Sequence, residues 1–106
     1  MDKEYILENI MKINLSNWEL EGVINIGLLG RILRCTTDEI RPYLVELEKE
    51  GYIEKGVRSG GWCEYTYMPY PPVKGYCITE KAKGMKMYKR FEKEFEERLK
   101  KAFDIV

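Results

Sequence analysis

Four side chains between Thr37 and Lys49 carry the plainest chemistry in this sequence. Arg41, Pro42, Val45 and Lys49 follow one another at spacings of one, three and four residues. On a helix of 3.6 residues per turn they share a face with Asp38 and point away from Ile40. A guanidinium can grip a guanine edge through two parallel hydrogen bonds, and a valine methyl can meet the methyl of thymine. Arginine and lysine also neutralise phosphate without reading any sequence. If this face meets a DNA groove, Arg41 is a base contact, a phosphate contact or a solvated side chain. Asp38 and Glu39 stand nearby and would repel phosphate unless they serve the start of the helix.

Other chemistries find little material. The 106 residues include no histidine, which weakens general-base, triad and zinc readings together. The cysteines Cys35, Cys63 and Cys77 are odd in number and lack C-x-x-C spacing. They read as reduced thiols of a cytoplasmic protein and as small apolar fillers. A reversible Cys63–Cys77 bond would require their segments to pair, and no sequence feature lowers either thiol's pKa. No carboxylate pair, phosphate loop or nucleophile–base set emerges. The expectation is a chain that is no enzyme and takes no cofactor or metal. No apolar run approaches the roughly 20 residues of a membrane span. The start Met1-Asp2-Lys3-Glu4 lacks the apolar segment of a signal peptide.

The formal net charge is zero, which argues against a strong binder of polyanions. Its distribution is polarised, however. Residues 1–30 hold two basic and five acidic groups, residues 31–63 six of each, and residues 64–106 ten basic and seven acidic. Lys74, Lys81, Lys83, Lys86, Lys89 and Arg90 form the densest basic group, which is usually a solvated face. Glutamine is absent while Lys, Glu, Ile and Tyr are plentiful, a thermophile-like composition.

The elements that must position Arg41 follow from local signals. Thr36 caps a helix, and Glu39 three residues on completes a capping box. Asp38 and Glu39 also suit the positive end of the helix dipole. Ile40, Leu44 and Leu47 form the buried stripe. Gly51 supplies the left-handed residue that ends the helix. Pro42 removes one backbone bond but lies near the first turn. Before this helix, Asp2 to about Ile13 reads as a helix on the stripe Ile6, Ile10 and Ile13, with Leu7 and Met11 beside it. Asn14 to Gly22 is an irregular connector holding Trp18, in which Ser16-x-x-Glu19 can cap a short turn. Val23 to Ile26 is β-prone. Gly27 to Leu33 is a short helix, with Gly30 allowing close approach to the next. Arg34-Cys35-Thr36 is then the turn of a helix-turn-helix.

Beyond it, Tyr52 to Arg58 continues as a strand. Ser59-Gly60-Gly61 signals a tight turn, and Trp62 to Met68 has strand composition with two unequal faces. Trp62, Tyr65, Tyr67, Tyr70 and Tyr76 read as hairpin and core packing. Prolines 69, 71 and 72 break that run, and Val73 to Ile78 is extended again. Thr79 caps a single helix of some 24 residues to about Phe103, ~36 Å long.

This order, with Ile40 to Ile53 and Lys74-Gly75-Tyr76-Cys77-Ile78-Thr79-Glu80-Lys81-Ala82-Lys83-Gly84 as its carrying phrases, resembles the winged helix-turn-helix superfamily. Both phrases are similar to those of bacterial and archaeal repressors of the PadR and MarR type, over about residues 24–84. The resemblance implies an α+β fold: a three-helix core, a β-hairpin wing at about 52–78 and a long C-terminal helix. It implies a winged domain at 1–79 and a dimerisation element at 80–106. It implies sequence-specific binding of double-stranded DNA. Thr36, Thr37, Arg41, Pro42, Val45 and Lys49 would lie on the recognition helix at about 37–50. Lys55, Arg58 and Ser59 would lie on the wing, and Arg31 and Arg34 near the backbone. A winged-helix adaptor that binds protein and no DNA is the alternative, and a small-molecule or redox sensor a third reading. The effector, if there is one, is not legible.

The last helix carries the partner expectation. Met85, Tyr88, Phe91, Phe95, Leu99 and Phe103 form a stripe longer than the domain ahead of it covers. Tyr88, Phe91, Phe95, Leu99 and Phe103 are therefore the expected homodimer contacts. The competing reading folds this helix back over Trp18 within one chain.

Overall fold

The computed structural model describes residues 2–16 and 22–104. Helix α1, Lys3–Ser16, begins where the Asp2 carboxylate accepts the Tyr5 N–H at 2.8 Å. Ile6, Leu7, Ile10, Met11 and Ile13 are all buried along it. The helix runs three residues further than its apolar stripe implied, and the Ser16 hydroxyl closes back on the Lys12 carbonyl at 2.8 Å. Ser16 thus ends this helix. Trp18 and the remainder of the expected Ser16–Glu19 cap lie outside the described residues.

Helix α2, Ile26–Leu33, is capped by Asn25, whose side chain accepts the Gly27 N–H at 2.7 Å. Arg34 ends it in the left-handed region at φ 57°. Helix α3, Thr37–Lys49, starts with the Thr36 hydroxyl oxygen accepting the Glu39 N–H. The Glu39 carboxylate sits beside the Cys35 thiol and, after burial, is the next cause raising that thiol's pKa. At the other end Tyr52 N–H reaches the Leu47 carbonyl and Gly51 N–H the Glu48 carbonyl, both at 3.0 Å. With Gly51 at φ +82°, this is the Schellman closure that glycine favours. Helix α3 continues unbroken past Pro42. The turn between α2 and α3 is tight because Gly30 has no side chain: a Cβ there would press on the Cys35 carbonyl and approach Ile40 and Thr37.

Strands β1, Ile53–Arg58, and β2, Val73–Ile78, pair antiparallel from Ile53↔Ile78 to Arg58↔Val73. The other edge of β2 is met by Ile24, which exchanges two 2.9 Å backbone bonds with Tyr76. The β-prone run at Val23 to Ile26 therefore contributes one bridge. Trp62 to Met68 does not form a strand: it holds a turn at 64–66 and a single Trp62↔Pro69 bridge. The partner of β1 is β2 instead, because Ile78 inserts in the core and Tyr76 is pinned by Ile24. The 62–68 aromatics are exposed and do not pack the core.

The expected single C-terminal helix is two: α4, Glu80–Lys83, and α5, Lys86–Asp104. Thr79 is the N-cap, and Gly84 closes α4 after one turn. The break lets Ala82 and the pair Tyr88 and Phe91 enter one core with α1, α3 and Ile53. At 19 residues α5 is ~28 Å long. Three helices, a two-stranded antiparallel hairpin and a long closing helix make this an α+β winged-helix arrangement. The Cα radius of gyration is 15.5 Å, against about 13 Å for a compact chain of this length, because the wing and α5 project.

Candidate nucleic-acid interface

Helix α3 buries Ile40, Leu44 and Leu47 and leaves Asp38, Arg41, Pro42, Val45 and Lys49 exposed. The wheel geometry of the sequence is thus the geometry of the fold. Lys3 on α1 ties down the far end of α3 by pairing with Glu50 and, at 3.9 Å, with Glu46. One acidic group of α3 and its C-cap Glu50 are thereby engaged away from Arg41.

Where the start of α3 meets the wing lies a hollow of about 360 Å³. Its floor is Ile26, Gly56, Val57, Gly75 and Tyr76, and its cations are Arg41, Lys55 and Lys74. Three elements supply one cation each. The pairing register explains the set: Lys55 lies opposite Tyr76 and Val57 opposite Lys74, so these four share a face. Among the described residues no carboxylate forms an ion pair with any of the three cations.

The other expected contacts scatter. Arg58, one residue out of phase with Lys55 and Val57, lies on the opposite face of β1. Its Nε is buried and finds no hydrogen-bond partner among the described residues. Ser59 is exposed, and its oxygen accepts the Gly61 N–H at 3.2 Å. Thr36 is engaged as the cap, and the Thr37 methyl lies against Gly30. Arg31 and Arg34 are exposed at the end of α2. Val45 and Lys49 are exposed but do not line the hollow. Lys74 is the residue that sequence reasoning missed as a site. Only the register with β1, which puts it across from Val57, reveals it.

The three thiols differ. Burial raises the Cys77 pKa most, with Glu54 adding to it. The Cys63 thiol is lowered to about 7 by hydrogen bonds from the Thr66 side chain, the Thr66 backbone, the Tyr70 side chain and the Tyr65 backbone. This corrects the sequence reading, which gave no cause for a lowered thiol. Cys63 sits in the loop between β1 and β2 while Cys77 lies against Gly56 on the strands, and among the described residues no disulfide joins the cysteines. Among the described residues no cluster of three or more Cys, Asp or Glu could hold a metal ion.

Tyr88 and Phe91 are buried inside this chain, with Lys12 over the Phe91 ring at 4.9 Å and Asn14 3.4 Å from the Tyr88 hydroxyl. They were expected to face a partner; α1 covers them instead, because the break at Gly84 turns α5 onto it. Phe95 is half-buried at a cleft of about 220 Å³ with Lys12, Leu15, Glu94 and Arg98. Leu99 and Phe103 are exposed, Phe103 by 76%. Among the described residues no helix is long and apolar enough to cross a membrane. No family model, curated protein or solved structure matches the chain.

Proposed function

We propose that this chain binds double-stranded DNA sequence-specifically as a transcriptional regulator, in the manner of the PadR- and MarR-type repressors its sequence phrases resemble. Helix α3 enters the major groove, and the wing lies along the backbone. The observation that carries this reading is the convergence of Arg41, Lys55 and Lys74, from three elements, on one hollow. A neutral chain binds a polyanion only if its cations are gathered on one surface. Arg41 is the base-reading candidate, since it projects from the exposed face of α3.

The reading includes a homodimer through the outer half of α5. The exposed Leu99 and Phe103, with half-buried Phe95, form an apolar strip that a second copy would cover. A two-fold dimer sets two recognition helices about 34 Å apart, one turn of duplex. Titration of random-sequence duplex at two salt concentrations tests the proposal. Lys55 and Lys74 of each chain give a dimer about four phosphate contacts, and affinity then falls about a hundred-fold between roughly 50 and 200 mM salt. A folded protein that binds no duplex at low salt overturns it. One observation favours the adaptor reading instead: the wing ends in exposed aromatic rings, which suit protein contact as well as nucleic acid.

A further inference from the structure

The loop from 59 to 72, between the wing strands, is the most exposed aromatic surface of the described residues. Trp62 is 69% exposed, Tyr65 93% and Tyr67 82%, with Tyr70 and Met68 also exposed. Such rings are costly in water unless something meets them. The loop is built, with Cys63 N–H on the Met68 carbonyl, Tyr70 N–H on the Gly61 carbonyl and Tyr67 N–H on the Cys63 carbonyl, each 2.9 Å. Tyr67 is held at φ 55°, a conformation uncommon for a tyrosine.

Composition and charge narrow the partner. Residues 59–72 hold four aromatic rings, and Glu64 is their only charged side chain. Leu, Ile, Val and Phe, the residues that sink into hydrocarbon, are absent from the loop. The strands that carry it bring Arg58, on one face, and Lys74, on the other, to its root. A partner that answers both features is a polyanion that presents flat π faces. Bases inside a duplex are stacked on each other, so their faces are closed to further rings. Unpaired bases do offer their faces, and aromatic stacking on them is tolerant of sequence.

We propose that the wing tip is a stacking platform for unpaired nucleotides, so that the chain prefers DNA in which a duplex opens into single strand. Trp62, Tyr65 and Tyr67 take the bases, and the cations at the root of the wing take the adjoining phosphates. This inference extends the duplex-binding proposal to the form of the DNA.

Three fluorescent probes of equal duplex sequence decide it: one without a tail, one with a six-nucleotide tail, and one with a tail of six abasic units. An isolated single strand is the fourth probe. The abasic tail keeps the phosphate charge and removes the rings. The full tail is expected to bind about five-fold or more tighter than the abasic one, from a single stacked base upward. Trp62→Ala with Tyr65→Ala should abolish that difference, read as the ratio of the two tailed affinities within each protein. Both residues are exposed, so the variant is expected to fold, which its circular dichroism checks. Trp62 fluorescence in a Trp18→Phe background should be quenched by the full tail and not by the abasic one. Equal affinity for the two tails overturns the platform, and duplex binding then stands by itself. A base preference that survives the double variant also overturns it, and the exposed rings then pass to protein contact. Anionic vesicles that bind with the rings and are lost without them, absent any base preference, assign the tip to a membrane surface and overturn it too. If no duplex binds but the single strand does, with the same dependence on bases and rings, the platform stands and the duplex regulator falls.

Discussion

The Thr79 hydroxyl donates a hydrogen bond to the Gly51 carbonyl, joining the residue that ends α3 to the residue that ends the wing. The same oxygen accepts the Ala82 N–H, and the Thr79 N–H reaches the Tyr52 carbonyl at 3.1 Å. Lys81 adds a bond to the Glu50 carbonyl at 2.6 Å and lies 4.7 Å over the Tyr52 ring. Both strands of the hairpin are thereby fastened to the end of α3. The angle between wing and helix, and so the hollow at Arg41, depends on this junction.

Thr79→Val keeps the shape of the side chain but loses the hydroxyl. It should cost about 1–2 kcal/mol through the lost cap and the unpaired Gly51 carbonyl. Thr79→Ser should cost far less. Urea denaturation of the three proteins measures this, and a valine variant as stable as the parent would show that the junction holds without the hydroxyl.

Lys74 belongs to the hollow although nothing in its immediate sequence marks it. Lys74→Ala is expected to weaken duplex binding on all sequences and to lower the slope of log affinity against log salt by about one. Arg41→Ala should also relax sequence preference, at about 1–3 kcal/mol for the base it reads. Lys89→Ala, on α5, is the surface control. Equal effects of Lys74→Ala and Lys89→Ala in a salt titration would remove the hollow from the binding surface.

Cys63 should be the fastest thiol to alkylate near neutral pH. Its pKa is lowered to about 7, so the reactive thiolate grows as pH rises through that value, whereas Cys35 and Cys77 are raised and lag. Iodoacetamide labelling followed by peptide mass mapping should give a Cys63 rate profile with its midpoint near 7. Thr66→Val removes the largest cause and should move the midpoint up. A midpoint unmoved by that change would assign the shift elsewhere.

The outer half of α5 should govern assembly. A second copy covering Leu99 and Phe103 would bury about 2 kcal/mol per large side chain. Sedimentation at tens of micromolar is expected to give a dimer that Phe95→Glu with Leu99→Glu turns to monomer. Tyr88→Ala or Phe91→Ala, by contrast, should destabilise the fold itself, since both rings are buried within the chain. A parent that sediments as a monomer ends the dimer proposal.

Much of this molecule is legible in its sequence, and the reason is range. Thr36 with Glu39, the left-handed Gly51 and the stripes of α1 and α3 are local signals, decided within one or two turns of chain. They place the helix-turn-helix and aim Arg41, Val45 and Lys49 outward before any packing is known. What the sequence could not decide were competitions between distant segments. Trp62 to Met68 and Val73 to Ile78 both have strand composition; β1 pairs with the second because Ile78 reaches the core and Ile24 bonds to Tyr76. The helix expected from Thr79 to Phe103 divides at Gly84 because Ala82 and the pair Tyr88 and Phe91 must all reach one core. Lys74 joins Arg41 only through pairing with β1, and the Cys63 thiol is lowered only because a loop wraps Thr66 and Tyr70 around it. Burial and register are properties of the whole chain, and tertiary structure decides them.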